Sequence, residues 1–327
     1  MKVHAELFMP FINPTRSESV KAKYADDPAL SAALSRYRSI QGFTAYGDCG
    51  FVFFHTGICG VYDLAARNPE PAGVFLLGSY NEGDPDSRYT NHANQAMFPD
   101  VTLSECSRAF YPGNSDFPLL RVTTGNSGEA DDTGYIARCA VENVTLDRET
   151  GVFISETVQT IAYCDSGIEN TSYETPCWGW PAWVADVVKG RCYIFSARYR
   201  TKKEFLDKYD INAYIVTEFA LPEMRDKGGT VILRPGDILD QFTLPFNVLF
   251  TQGGMLREGR IYHTFGAGTE TYPNALRVID LAGRRFEVEA DLSQTCFADE
   301  EIECCAFFRG RMLVNTQGGK LYTLDFQ

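Results

Sequence analysis

The stretch LREGRIYHTFGAG (256–268) can be laid over two others in the same chain, FFRGRMLVNTQGG (307–319) and VVKGRCYIFSARY (187–199). Each reads as an apolar strand, a Gly-Arg pair at a tight turn, and a second strand rich in apolar and aromatic residues. A looser copy, YGDCGFVFFHTG (46–57), places Gly50 at the turn. Third strands with a shared ending follow at GVYDLAA (60–66), ALRVIDLAG (275–283), KLYTLDF (320–326) and, more distantly, AYIVTEFAL (213–221). Fourth strands are expected at GVFLLGSY (73–80), TVILRP (230–235) and RFEVEADL (285–292). Such self-similarity marks a repeat architecture, in which each unit buries its apolar faces against its neighbours.

Spacing supplies one more unit. Gly50 and Gly190 are 140 positions apart, about twice the separation of Gly190 from Gly259. HANQAMF (92–98), PLLRVTTG (118–125), YIARCAVENV (135–144) and GVFISETVQTIAY (151–163) provide four strands for it, with an insertion after Phe98. Five units of four antiparallel strands predict an all-β, five-bladed β-propeller, with blades at about 40–82, 91–163, 178–236, 247–294 and 301–327. The last unit lacks a fourth strand, while KVHAELFMPF (2–11) has no blade of its own. Pairing that strand with the last blade closes the ring and leaves the whole chain, 1–327, as one domain. Residues 15–38 read as a helical insertion with N-caps at Ser17 or Asp27, and TKKEFLDKYD (201–210) as a second one.

Composition agrees and narrows function. Aromatics reach 13% with 28 Gly, a balance suited to pleated surfaces and turns. The 43 acidic residues against 30 basic ones leave a net charge of −13, which repels phosphate backbones and anionic headgroups. Nucleic acid and membrane are therefore not expected partners. Ten cysteines are dispersed without a C-x-x-C pair, so neither a zinc site nor a thioredoxin-type motif is expected. Thiols inside strand text behave as small hydrophobes. With no apolar run at the N-terminus of signal-peptide length, the chain reads as cytoplasmic. No sequence pattern calls for a cofactor.

In a propeller the innermost strands run along the axis, and ligands bind where those strands begin. Counting back from the turns brings Gln41, His92, Asn94, the tryptophans of CWGWPAW (177–183), Gln252 and Glu303 to that opening. His55, Arg198, Arg200, Thr264 and Gln317 approach from the loops between second and third strands. Trp178 and Trp180 offer faces on which a sugar ring can stack, while an aromatic plug around Pro181 is the competing reading. His92 and Asn94 suit either a ligand or neighbouring backbone groups, and one His without a second ligand makes no metal site. Glycosidases need two carboxylates facing across the bond, and here only Glu301 and Glu303 qualify, both from one blade. No G-x-S-x-G occurs, so a nucleophilic triad is not expected.

FTQGGMLREGRIYHTFGAG…ALRVIDLAGRR (250–285), echoed by IQGFTAYGDCGFVFFHTGICGVYDL (40–64), resembles the blades of plant-type glutaminyl cyclases. Those repeats share the FTQG-like inner strand and the V-D-L third strand, and their fold is a five-bladed propeller. The resemblance spans about 60 residues and implies the fold; no catalytic residue is carried over from it. The sequence therefore leads to a propeller binding a glycan or another small polar molecule at its axial face. An enzyme using that face, of glycosidase or glutaminyl cyclase type, is one alternative; a scaffold recognising peptides is another.

Overall fold

Along the strand Ala182–Asp186, Trp183 and Ala185 pack on one side and Ala182 and Val184 on the other. The next strand, Arg191–Arg198, repeats the pattern: Cys192 and Ile194 face one way, Tyr193 and Phe195 the other. Successive side chains of a strand point to opposite faces, so a strand apolar at every position needs an apolar neighbour on both sides. That requirement is met by packing sheets face to face around a ring. The computed structural model describes residues 2–79, 96–98, 116–124, 135–164, 181–198, 213–224, 229–245 and 250–327.

Five sheets form the blades. From axis to rim, blade one is Ile40–Tyr46, Cys49–Phe54, Ile58–Asp63 and Gly73–Leu76. Blade two is Ala96–Met97, Leu120–Thr124, Tyr135–Asp147 and Val152–Cys164, and blade three is Ala182–Asp186, Arg191–Arg198, Ala213–Ala220 and Ile238–Pro245. Blade four is Thr251–Arg257, Arg260–Phe265, Ala275–Asp280 and Arg285–Asp291. Blade five is Ile302–Phe308, Arg311–Thr316 and Lys320–Phe326, completed by Val3–Pro10 from the other end of the chain. That strand pairs antiparallel with Lys320–Phe326, from Val3 opposite Phe326 to Pro10 opposite Lys320. The innermost strands of blades three, four, five, one and two follow one another in contact, with Ala182–Asp186 of blade three reaching Leu120–Thr124 of blade two. The five-bladed propeller closed by its N-terminal strand is thus the architecture.

Apolar clusters sit between blades. Phe51, Phe53 and Phe75 of blade one meet Phe98, Phe117 and Phe153 of blade two, with Phe51 set edge-on to Phe98 and Phe117. Both expected N-caps form: Ser17 accepts from the Val20 amide and Asp27 from that of Leu30, opening the helices Glu18–Lys23 and Pro28–Leu34. Val20, Leu30, Ala33 and Leu34 bury against the cluster spanning blades four, five and one. The second helical insertion, 201–210, lies outside the described residues. No helix among the described residues is long and apolar enough to cross a membrane. Cys49, Cys59, Cys139, Cys192, Cys296, Cys304 and Cys305 are free, and five of them, at 59, 139, 192, 304 and 305, are buried.

Two strand assignments read from the sequence are corrected. The stretch 230–235 was expected as the outer strand of blade three; instead Gly229–Leu233 crosses to blade two and pairs parallel with Val152–Cys164, Gly229 opposite Gln159. The outer strand of blade three is Ile238–Pro245, reached through the short turn Pro235–Asp237. Both segments read as strands, but hydrophobic pattern does not say which free edge a strand joins. In blade one the turn is not at Gly50. Tyr46 pairs with Cys49, so Gly47, at φ 57°, and Asp48 make the turn, and Gly50 is a strand residue packed against Leu64 and Phe43. The turns of blades four and five follow the repeat: Glu258-Gly259 and Arg309-Gly310 have positive φ throughout, the geometry that matches the twist of a two-residue hairpin.

Candidate functional site

Gln41, Gln252 and Glu303 are each the second residue of an innermost strand. At each the ladder slips. Pairing skips from Ile40 to Gly42, from Thr251 to Gly254 and from Ile302 to Cys304. A bulge frees a residue from its ladder partner, bends the strand and re-aims the side chain, and bulges are frequent beside active sites. Blades one, four and five therefore carry the same irregularity at the same level of the axis. His92, Asn94, Trp178 and Trp180 lie outside the described residues, as does Arg200. Trp183, the third indole of that cluster, is a core residue, 2% exposed.

Glu303 is the group with chemistry to spare. Its carboxyl is buried, 1% exposed, and Oε1 has no hydrogen-bond partner among the described residues. Burial pushes its pKa well above the usual carboxylate range, and the negative charge of Glu301 adds to the rise. A carboxyl that keeps its proton carries both an O–H donor and a carbonyl acceptor, and it can pass a proton in either direction. Its backbone is fastened on both sides. The Thr264 hydroxyl of blade four lies 3.0 Å from the Glu303 carbonyl and 2.7 Å from that of Gly253. Asn315 accepts from the Cys304 amide at 2.9 Å.

Glu301 links the neighbours. The Gln252 amide donates to Glu301 Oε1 at 2.9 Å and to the Gly266 carbonyl at 3.2 Å. Gln317, from the loop after the second strand of blade five, donates to Glu301 Oε2 at 3.1 Å. Burial raises the Glu301 pKa while the Gln252 bond opposes the rise. Gln252, Glu301 and Glu303, with Thr264 and Gln317, thus form one polar group at the junction of blades four and five. Gln41 turns its amide onto the Ile40 carbonyl at 2.8 Å and toward Ser39 Oγ at 3.4 Å. Among the described residues no group of three or more His, Cys, Asp and Glu is arranged to hold a metal ion.

Sequence reasoning missed His263 and Tyr214. His263, on the second strand of blade four, is fully buried between Phe195, Tyr214 and Phe265. Its Nε2 lies 2.9 Å from the Gln252 carbonyl, and its Nδ1 lies 2.8 Å from the Tyr214 hydroxyl of blade three. A carbonyl only accepts, so Nε2 carries the hydrogen and Nδ1 accepts from the tyrosine. Burial lowers the imidazole pKa to about 3, with the Gln252 bond opposing, so the ring is neutral. Nothing in the sequence joins residues 214 and 263; only the packing of blade three on blade four does.

No protein-family model matches the chain, and no curated protein matches it either. Among solved structures it is similar to the glutaminyl cyclase of Myxococcus xanthus, with 11% identity and a TM-score of 0.45, over 99% of this chain and 96% of that one. It is also similar to the WD40 β-propeller domain of Doa1, with 9% identity and a TM-score of 0.36, over 87% of this chain and 63% of that one. These are likenesses of architecture and bring no residue role to this chain.

Proposed function

We propose that the axial mouth beside blades four and five binds a small polar molecule, with Glu303 as its central group. The observation that carries this reading is the buried Glu303 carboxyl, one oxygen of which has no partner among the described residues, placed at a bulge of an innermost strand. Leaving a buried polar atom unpaired costs about 1–3 kcal/mol, and a ligand that bonds to it recovers that cost. Gln252 and Gln41 add amide groups at the same level. Neutral carboxyl and amides together suit hydroxyl groups, which donate and accept, so a glycan is the ligand class we adopt. Trp178 and Trp180 belong to this reading as stacking faces, and His92 and Asn94 as further polar groups. The buried free thiols fit a reducing compartment, and the cytoplasmic assignment stays part of the same proposal.

A second reading makes the same carboxyl a proton carrier, because a carboxyl with a raised pKa at a ligand site is suited to acid–base work. Glu301 and Glu303 sit two residues apart on one chain segment, which disfavours the opposed pair of a glycosidase. A reaction needing one proton carrier fits better. Cyclisation of an N-terminal glutamine is of that kind: the α-amine attacks the side-chain carbonyl carbon, the carbon–nitrogen bond to the leaving group breaks, and ammonia departs. Glu303 would give a proton to the leaving nitrogen and take one from the attacking amine.

Thermal-shift measurements with mono- and oligosaccharides and with short peptides, some starting in glutamine, test both readings. They are run on wild type, Glu303→Gln, Glu303→Ala and Trp180→Ala, with ammonia release followed in parallel. Binding alone predicts a ligand-induced stabilisation that Glu303→Gln largely keeps and Glu303→Ala loses. The enzymatic reading predicts ammonia release that falls by about 100-fold or more in Glu303→Gln, which cannot pass a proton. A ligand whose effect survives Glu303→Ala unchanged binds elsewhere and refutes the site.

A further inference from the structure

Where the ladder skips from Thr251 to Gly254, consecutive residues of the next strand supply side-chain donors to two carbonyls, those of Gln252 and Gly253. His263 serves the first and Thr264 the second. Space there is tight: a Cβ on Gly254 would come within 2.4 Å of the Tyr262 carbonyl. The His263 bond is set in turn by Tyr214, because a hydroxyl donating to Nδ1 requires the hydrogen on Nε2. A buried chain of two directed hydrogen bonds therefore runs from the third strand of blade three to the backbone of Gln252. At its far end both amide hydrogens of Gln252 are committed, one to the Gly266 carbonyl and one to Glu301. The carboxamide oxygen is the atom that remains.

We infer that Tyr214 and His263 are positioning residues of the axial site, holding Gln252 so that its amide faces Glu301 and its carboxamide oxygen is what a ligand meets. A ligand must then bring an N–H or O–H donor to Gln252; an acceptor placed there is refused. This consequence for the ligand rests on the reading of the axial face given above. The positioning itself does not, and it can be measured with no ligand present.

The measurement is the side-chain amide spectrum of the full chain by nuclear magnetic resonance across an acid titration. Gln252→Ala identifies the Gln252 amide signal by its loss. In wild type that signal should move with a single carboxyl titration, and Glu301→Gln should abolish the movement. Tyr214→Phe and His263→Leu should reduce the movement by at least half, whereas His263→Gln, which keeps an N–H donor near the Gln252 carbonyl, should restore it. Tyr214→Phe removes one oxygen atom and provides the test if His263→Leu does not fold. A merely structural role would lower the melting temperature in both variants and leave the titration of the Gln252 amide at its wild-type amplitude. That outcome, or a wild-type amide signal indifferent to Glu301, overturns the inference. Failure of every ligand to bind, with the amide titration behaving as expected, would count against the binding reading and not against the relay.

Discussion

Two buried glutamates show how differently one residue type can be used. Glu142 is fully buried and takes four donors: the Gly78 and Ser79 amides, the Ser155 hydroxyl and the Thr157 hydroxyl, all at 2.9–3.1 Å. Glu303 is equally buried, and one of its oxygens has no partner among the described residues. The first is a structural fastener; the second keeps an oxygen that no described residue engages. The difference should appear in the pH dependence of stability. A carboxyl whose folded pKa is raised holds a proton that the unfolded chain has already released, so its burial costs nothing below the ordinary Glu range and progressively more as pH rises above it. Glu303→Gln removes that titration. Its melting temperature should match wild type near pH 4 and exceed it by a growing margin toward neutral and alkaline pH. Equal pH profiles for the two proteins would mean that Glu303 titrates normally.

At the scale of elements, irregular pairing places the site. The bulges at Gln41, Gln252 and Glu303 interrupt strands that are otherwise regular, and none of the three can be seen in an apolar–polar pattern, because a bulge adds one residue without changing residue types. Glu142 sits at a register shift too, between Val141 and Glu142 on the third strand of blade two. There it grips the chain as it leaves blade one: a Cβ on Gly78 would approach the Thr157 amide nitrogen to 2.3 Å. Glu142→Gln replaces one acceptor oxygen with a carboxamide NH2, itself a donor, facing two donors. We expect a loss of about 2–4 kcal/mol, since hydrogen bonds to charged groups contribute about 1.5–3 kcal/mol each. Urea unfolding would show it as a lower midpoint with an unchanged slope. A loss under about 1 kcal/mol would mean that the junction is held by other groups.

For the whole molecule, closure is the governing interaction. Val3–Pro10 completes blade five, and Phe8, Met9 and Phe11 bury into the cluster shared by blades four, five and one. Burying such side chains contributes about 1.5–3 kcal/mol each, before the ladder itself is considered. Deleting residues 1–11 should therefore destabilise all five blades together, lowering the melting temperature of a single cooperative transition or abolishing it. A truncated chain melting like the parent would show that the ring does not depend on the closing strand. Ion pairs also bridge blades, Arg309 to Asp48 and Arg284 to Asp240, both at 2.7 Å. Both pairs are exposed, and exposed pairs contribute about 0–1 kcal/mol, so they add little beside the apolar clusters.

What the sequence determined by itself was whatever recurs along the chain or depends on local chemistry. The glycine before each repeated arginine recurs because Gly190, Gly259 and Gly310 all take positive φ at the turn, and the recurring strands count the blades. The unmatched first and last strands implied closure, and Ser17 and Asp27 announced helices through their own side chains. The positions of Gln252 and Glu303 on inner strands were legible for the same reason. Only the tertiary structure decided which edge Gly229–Leu233 joined, since either free edge accepts the same apolar pattern. It alone showed the bulges, the lack of a partner for Glu303 Oε1 among the described residues and the relay from Tyr214 through His263 to Gln252. These depend on distances between residues from different blades, and a hydrogen bond between positions 49 apart leaves no periodic mark in the residues that make it.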